Sequence, residues 1–169
     1  QHTLARLFGT RNEIGRIEGY DISNISGTGA TASMVVFEKG RPQKSQYRLF
    51  NIRSSKGTPN DTLMLHEAIT RRLSHAEWQL PDLMLIDGGK GQLSAAKKAL
   101  AASSITKKMA VAALAKKEEI LFLSPQKSFR LSSLPLETKH LLTAVRDEAH
   151  RFARKQHLRL RRASLSRRC

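Results

Sequence analysis

Residues 83–87, Leu-Met-Leu-Ile-Asp, form an apolar run held between Pro81 and the glycines Gly88, Gly89 and Gly91. A short run closed by turn formers suits a strand better than a helix. It shows no alternation of apolar and polar side chains, so such a strand is buried on both faces. A strand covered on both sides needs helices above and below the sheet. That requirement points a chain of 169 residues to a layered α/β plan in one domain.

The rest of the pattern supplies those layers. Residues 1–16 read as a polar lead-in. IEGYDIS, residues 17–23, alternates at period two, with Ile17, Gly19, Asp21 and Ser23 on one face. A glycine-rich turn in SNISGTGA, the strand TASMVVFEKG and the strand QKSQYRLFNI complete an antiparallel meander. The period then changes. Asn60-Asp61 starts a helix whose apolar stripe is Leu63, Leu65, His66, Ile69 and Leu73. LMLID is the fourth strand, and a helix runs from Gly91 to about Ala102. MAVAALA is a fifth strand or a very short helix, and ILFL with SFRLSS suits a hairpin. From Leu136 a long amphipathic helix carries Leu141, Leu142, Val145, Ala149, Phe152 and Ala153 at helical spacing. The expected fold is α/β, with a mixed five-stranded sheet, three antiparallel strands and then parallel ones, flanked by helices. The body is expected over residues 17–160, with a basic tail at 161–169.

Charge narrows the partner. Thirty Lys and Arg against fourteen Asp and Glu leave a net charge of +16. Nine of the basic side chains fall between Arg146 and Arg168, against two acids. Such an excess favours a polyanion, because each neutralised phosphate releases counterions. No apolar run reaches the roughly 20 residues of a bilayer span, and no secretory leader is visible. The single cysteine, Cys169, excludes an intramolecular disulfide framework and fits a reducing compartment such as the cytoplasm. The chain opens on Gln1 without a methionine, as a fragment or a processed protein would.

Two carboxylates stand where carboxylates are costly. Asp21 interrupts a strand, and Asp87 ends a buried one, where open α/β sheets place ligands. Singly, they read as a solvent-facing acid and a turn aspartate. If their strands are neighbours, they converge on one cation, and hard oxygen ligands suit Mg²⁺ or Mn²⁺. The glycines after Asp87 do not make a nucleotide cradle: Lys90 is followed by Gly91 and Gln92 where that motif needs Ser or Thr. Lys90 is left free to meet a phosphate. On the last helix His150 has Arg146 one turn before it and Arg154 one turn after, so a role as ligand or proton carrier is open to it.

In order, GYDIS, SGT, ASMVVFEKG, PDLMLIDGGKGQLSAA and RDEAHRFA resemble the C-terminal endonuclease domain of the UvrC family of bacterial excinucleases. The resemblance spans about residues 15–160 and implies a ribonuclease H-like fold. It implies a metal-dependent endonuclease that cuts damaged double-stranded DNA on the 5′ side of the lesion, with Mg²⁺ or Mn²⁺. The catalytic triad it implies falls on Asp21, Asp87 and His150, with Asp61 as a further family aspartate. Lys90, Arg146, Arg151 and Arg154 are the candidate DNA contacts. The implied protein partner is UvrB, a second component of the excinuclease, docking through a segment that these residues do not include; no membrane partner is expected. A basic module of the same fold that binds nucleic acid or a repair protein without cutting is the alternative.

Overall fold

The computed structural model describes the backbone of residues 2–10, 12–25, 29–54 and 60–166, and side chains over the same ranges except 2, 24, 25, 29 and 160–166. A short helix α1 (His2–Phe8) leads into the hairpin β1 (Arg16–Ile25) and β2 (Gly29–Glu38). The centre of the glycine-rich turn between them, residues 26–28, lies outside the described residues. β3 (Arg41–Pro42), β4 (Arg48–Asn51), α2 (Asp61–Leu73), β5 (Leu83–Asp87) and α3 (Lys90–Ala101) follow. β6 (Ala110–Ala115), β7 (Ile120–Phe122), β8 (Ser128–Arg130) and α4 (Leu136–Ser166) complete the order.

One mixed sheet runs β3-β2-β1-β5-β6-β7-β8, with β4 also paired to β2. β1, β2 and β4 are antiparallel, as the meander requires, while β5 lies parallel to both β1 and β6. The five expected strands are all present. The two-residue β3 and the hairpin β7–β8 extend the same sheet to eight strands. Its central position explains the composition of β5: Leu83, Met84, Leu85 and Ile86 are all buried, alternately toward the two layers.

Two cores result. On one face, α2 and α3 cover Tyr20, Ala32, Met34, Val36, Met84 and Ile86. On the other, Leu142, Val145 and Ala149 of α4 cover Ile17, Val35, Leu83, Leu85 and Leu114. The lead-in differs from its polar reading, because Leu4 of α1 and Ile14 join this second core. Two apolar side chains among arginines give little local signal; their burial is set by the sheet beneath them. The helix α2 begins as expected, with Asn60 Oδ1 accepting from the Leu63 amide at 3.1 Å. Its stripe is rotated, however. Leu63 is 54 % exposed, and Met64, Leu65, Ala68, Ile69, Arg72 and Leu73 face inward.

Arg72 faces inward because it has a partner. Its Nε and Nη2 donate to Glu18 on β1 at 2.8–3.1 Å, and the Tyr20 hydroxyl donates to the same carboxylate at 2.6 Å. Arg16 adds a longer contact of 3.5 Å to Glu18. This cluster ties α2 to β1 on the face opposite α4. The backbone of α4 continues to Ser166, past the boundary expected at residue 160. The side chains of the expected basic tail, 161–169, lie outside the described residues.

Candidate metal centre

The sheet register decides where the two carboxylates meet. In the parallel β1–β5 ladder, Tyr20 pairs with Ile86, so Asp21 and Asp87 are the next residues along adjacent strands. Ile17, Gly19 and Asp21 on β1, and Leu83, Leu85 and Asp87 on β5, alternate onto the face that α4 covers. α4 lies close there because Gly19 has no side chain. A Cβ at this position would stand 2.6 Å from Val145 Cγ1 and 3.2 Å from the Val145 carbonyl oxygen. Five residues after Val145, His150 brings Nδ1 to 3.3 Å from Asp21 Oδ1. Asp21, Asp87 and His150 thus each offer a ligand atom, all within 4.8 Å of one another.

The electrostatics follow from burial. Asp21 is 7 % exposed, and burial pushes its carboxyl up to about 6, with a further push from Asp87 and an opposing pull from His150. Burial also raises Asp87, against the hydrogen bond with Asp21 and the positive charges of Arg146, His150 and Lys116. Among the described residues, neither carboxylate has a Lys or Arg within ion-pair distance. Two crowded carboxylates without a fixed counter-charge share a proton or hold a cation in its place. Two oxygen donors and one imidazole make a donor set that fits a divalent cation. The His150 side chain is 45 % exposed, so the group opens to solvent on that side.

The other expected residues are placed unequally. Asp61 begins α2, exposed, and its carboxylate stands outside the three-residue group. The start of α2 nevertheless borders the glycine turn, since a Cβ on Gly91 would lie 3.4 Å from Thr62 Cγ2. Lys90 is exposed at the start of α3, with Nζ 5.5 Å from the Phe122 ring centroid. Arg146 is 8 % exposed and holds Asp147 Oδ1 through Nε and Nη2 at 2.9 and 2.7 Å. Arg154 is exposed one turn beyond His150. Arg151 is committed elsewhere: it grips Glu148 with two 2.6 Å hydrogen bonds, and Glu148 also accepts from the Tyr47 hydroxyl. The space at Gly88 is taken by Gln92, 2.8 Å from where a Cβ would be, and Gln92 Oε1 accepts from the Gly89 amide at 3.0 Å. Gly88 therefore makes room for a helix-starting side chain.

Three contributors stand outside the set expected from the sequence. Gly19 sets the approach of α4. Ser33, opposite Asp21 in the β1–β2 ladder, contacts α4 directly. Lys116 directly follows β6, in which Leu114 pairs with Asp87, and its charge acts on the Asp87 carboxyl. For Lys116 a signal exists: a Lys-Lys pair directly after an apolar strand parallel to the one ending in Asp87.

A family model described as the UvrC RNAse H endonuclease domain matches residues 5–153. UvrABC system protein C of Dictyoglomus thermophilum is 47 % identical over 159 residues, covering 94 % of this chain and 26 % of that protein. The protein of the same name from Dehalococcoides mccartyi (strain BAV1) is 50 % identical over 159 residues, covering 88 % of this chain and 26 % of its own length. That from Methanococcoides burtonii is 46 % identical over 155 residues, with 89 % and 25 % covered. The chain thus spans about a quarter of the length of these relatives. A crystal structure of human ENDOV shows a distant likeness, with a TM-score of 0.38 and 16 % identity over 60 % of this chain and 46 % of that one. Among the described residues, no helix is long and apolar enough to cross a membrane. With a family model spanning nearly all of its sheet and helices, and relatives close to half identical, the chain belongs to the UvrC RNase H endonuclease domain family.

Proposed function

We propose that this domain hydrolyses a phosphodiester bond in damaged double-stranded DNA, as the 5′ incision of nucleotide excision repair. Asp21, Asp87 and His150 would hold Mg²⁺ or Mn²⁺, and the relatives' membership of a UvrABC system supports UvrB as partner. The observation that carries this reading is the convergence of two carboxylates and a histidine from three separate elements within 4.8 Å. When bound, the divalent ion supplies Lewis-acid polarisation of the phosphoryl oxygen and lowers the pKa of a coordinated water.

The chain's own residues do the rest. Asp21, buried in the sheet, and Asp87, at the end of its strand, fix the donor atoms with little freedom to reorganise. His150 is tied to Asp21 on one side and open to solvent on the other, so it can complete the ligand set or move a proton at the phosphate. Lys90, Arg154 and Lys116 add positive charge around the opening, drawing in the DNA backbone, while Arg146 adds its field from beneath.

The test is incision of a lesion-containing duplex in the presence of UvrB and Mn²⁺. Asp87→Asn is expected to reduce cutting to background while DNA binding stays equal or tightens, because a repulsive charge is lost. Incision by Asp87→Asn at the wild-type rate would reject the assignment. Salt-dependent binding by the wild-type chain with no cleavage under any divalent ion would instead favour the non-catalytic module.

A further inference from the structure

His150 and Asp21 sit on different elements, so something must hold the roll of α4 about its axis. The contacts of Val145, Ala149 and Ala153 are apolar and non-directional. A side chain reaching about 6 Å from a helix axis moves ~1 Å for each 10° of roll. Gly19 sets how closely α4 approaches β1 but does not fix its rotation.

Two directional contacts reach α4: Tyr47 donates to the half-buried Glu148, and Ser33 donates to the main chain beside His150. Ser33 pairs with Asp21 across the β1–β2 ladder and is 1 % exposed. Its Oγ donates to the carbonyl oxygen of Ala149, the residue before His150, at 3.2 Å. The Asp21 carbonyl oxygen, at 3.4 Å, is the alternative acceptor for the same single proton. A carbonyl has two lone pairs, so Ala149 can accept from Ser33 without giving up its bond within the helix. One buried hydroxyl therefore stands between the main chain of Asp21 and the main chain next to His150.

We infer that Ser33 is a positioning residue for the reaction, a latch whose hydroxyl fixes the roll of α4 and so holds the His150 ring against Asp21. The inference rests on the reading of Asp21, Asp87 and His150 as the metal centre. Ser33 touches neither DNA nor ion; it acts through His150. A misplacement of about 1 Å at a reacting group can cost ~10²-fold, so the latch bears on rate more than on binding.

Three variants of the chain test it. Ser33→Ala removes the hydroxyl, Ser33→Thr keeps it, and Ile69→Val, on the α2 side of the sheet, provides a destabilised control. The readouts are kcat and KM for Mn²⁺-dependent incision, Mn²⁺ affinity without DNA, and the His150–Asp21 separation in crystals. Ser33→Ala is expected to lose about tenfold or more in kcat with KM within about twofold, to bind Mn²⁺ several-fold more weakly, and to show a longer Nδ1–Oδ1 separation. Ser33→Thr should recover most of the rate, and Ile69→Val should keep it. The latch is overturned if Ser33→Ala keeps wild-type kcat and Mn²⁺ affinity, if Ser33→Thr at wild-type Tm loses as much rate, or if Ile69→Val loses as much. Should the wild-type chain not cut at all, the nuclease reading fails separately, and Mn²⁺ affinity and the crystallographic separation still decide the latch.

Discussion

Nδ1 of His150 lies 3.3 Å from Oδ1 of Asp21, joining residues 129 positions apart in the sequence. The contact exists because the middle of β1 and a face of α4 are brought together over a glycine. It is accompanied by an electrostatic penalty, since the carboxylate it reaches is buried and faces another. Stability and function are therefore expected to oppose each other here.

Asp21→Asn exposes that conflict. Burial holds Asp21 near 6 in the folded chain against an ordinary 3.8, so the folded state retains a proton over the window between them. Its stabilising contribution is complete below the lower value and is lost as pH rises through the upper one, by roughly 3 kcal/mol. In EDTA at pH 7.5, Asp21→Asn is expected to melt several degrees above wild type, and at pH 4 the advantage should vanish. Mn²⁺ should raise the Tm of the wild type only. Incision limited by metal should fall on the acid side with a midpoint near 6, moving lower as Mn²⁺ is increased. A variant less stable than wild type at pH 7.5 would contradict this balance.

Gly19→Ala tests the close approach of α4. The added carbon meets the Val145 carbonyl at 3.2 Å, a backbone atom that cannot rotate away, besides the Val145 and Val35 methyls at 2.6 and 3.0 Å. Overpacking should cost about 1–3 kcal/mol in chemical denaturation. Incision measured well below the melting temperature should fall by more than the folded fraction, because His150 rides on the displaced helix. Unchanged stability would mean that α4 does not pack on β1 as described.

On the opposite face, Arg72→Met leaves the buried Glu18 with only the longer Arg16 contact and the Tyr20 hydroxyl. Breaking such a pair from one side typically costs about 3–5 kcal/mol. Replacing both, as Glu18→Gln with Arg72→Met, keeps an acceptor for the buried Tyr20 hydroxyl and should recover part of that loss in urea titrations. Additive losses in the double-mutant cycle would show that the pair is not coupled.

Lys116→Ala separates two effects of one charge. Lys116 pulls Asp87 toward its ionised form and adds to the field met by DNA phosphates. Without it, Mn²⁺ should bind somewhat more tightly in the absence of DNA, since a repelling charge is gone. DNA should bind more weakly, with a salt slope shallower by about one. If both affinities move the same way, Lys116 does not act by charge alone.

Much of the architecture is legible in the sequence because its signals are local. The alternation of β1, the unbroken apolar run of β5 and the spacing along α4 each state which faces are covered. Asp21, Asp87 and His150 are legible because a carboxylate in or at the end of a buried strand is costly, and because the motifs around them are specific. What is not legible depends on partners distant in sequence. Arg72 points inward only because Glu18 lies beneath it, which rotates the stripe of α2 and leaves Leu63 outside. Leu4 and Ile14 are buried only because the sheet offers them a surface. Arg151 resembles its basic neighbours in sequence, yet Glu148 occupies it in the fold. Ser33 is an ordinary strand residue until α4 is laid across it.

The most direct measurement is the anomalous difference density of a crystal soaked in Mn²⁺. A peak between the carboxylates of Asp21 and Asp87, with His150 beside it and absent in Asp87→Asn, is the predicted result. Carboxylates that stay apart, with manganese bound elsewhere or not at all, would contradict the metal centre and the incision chemistry assigned to it.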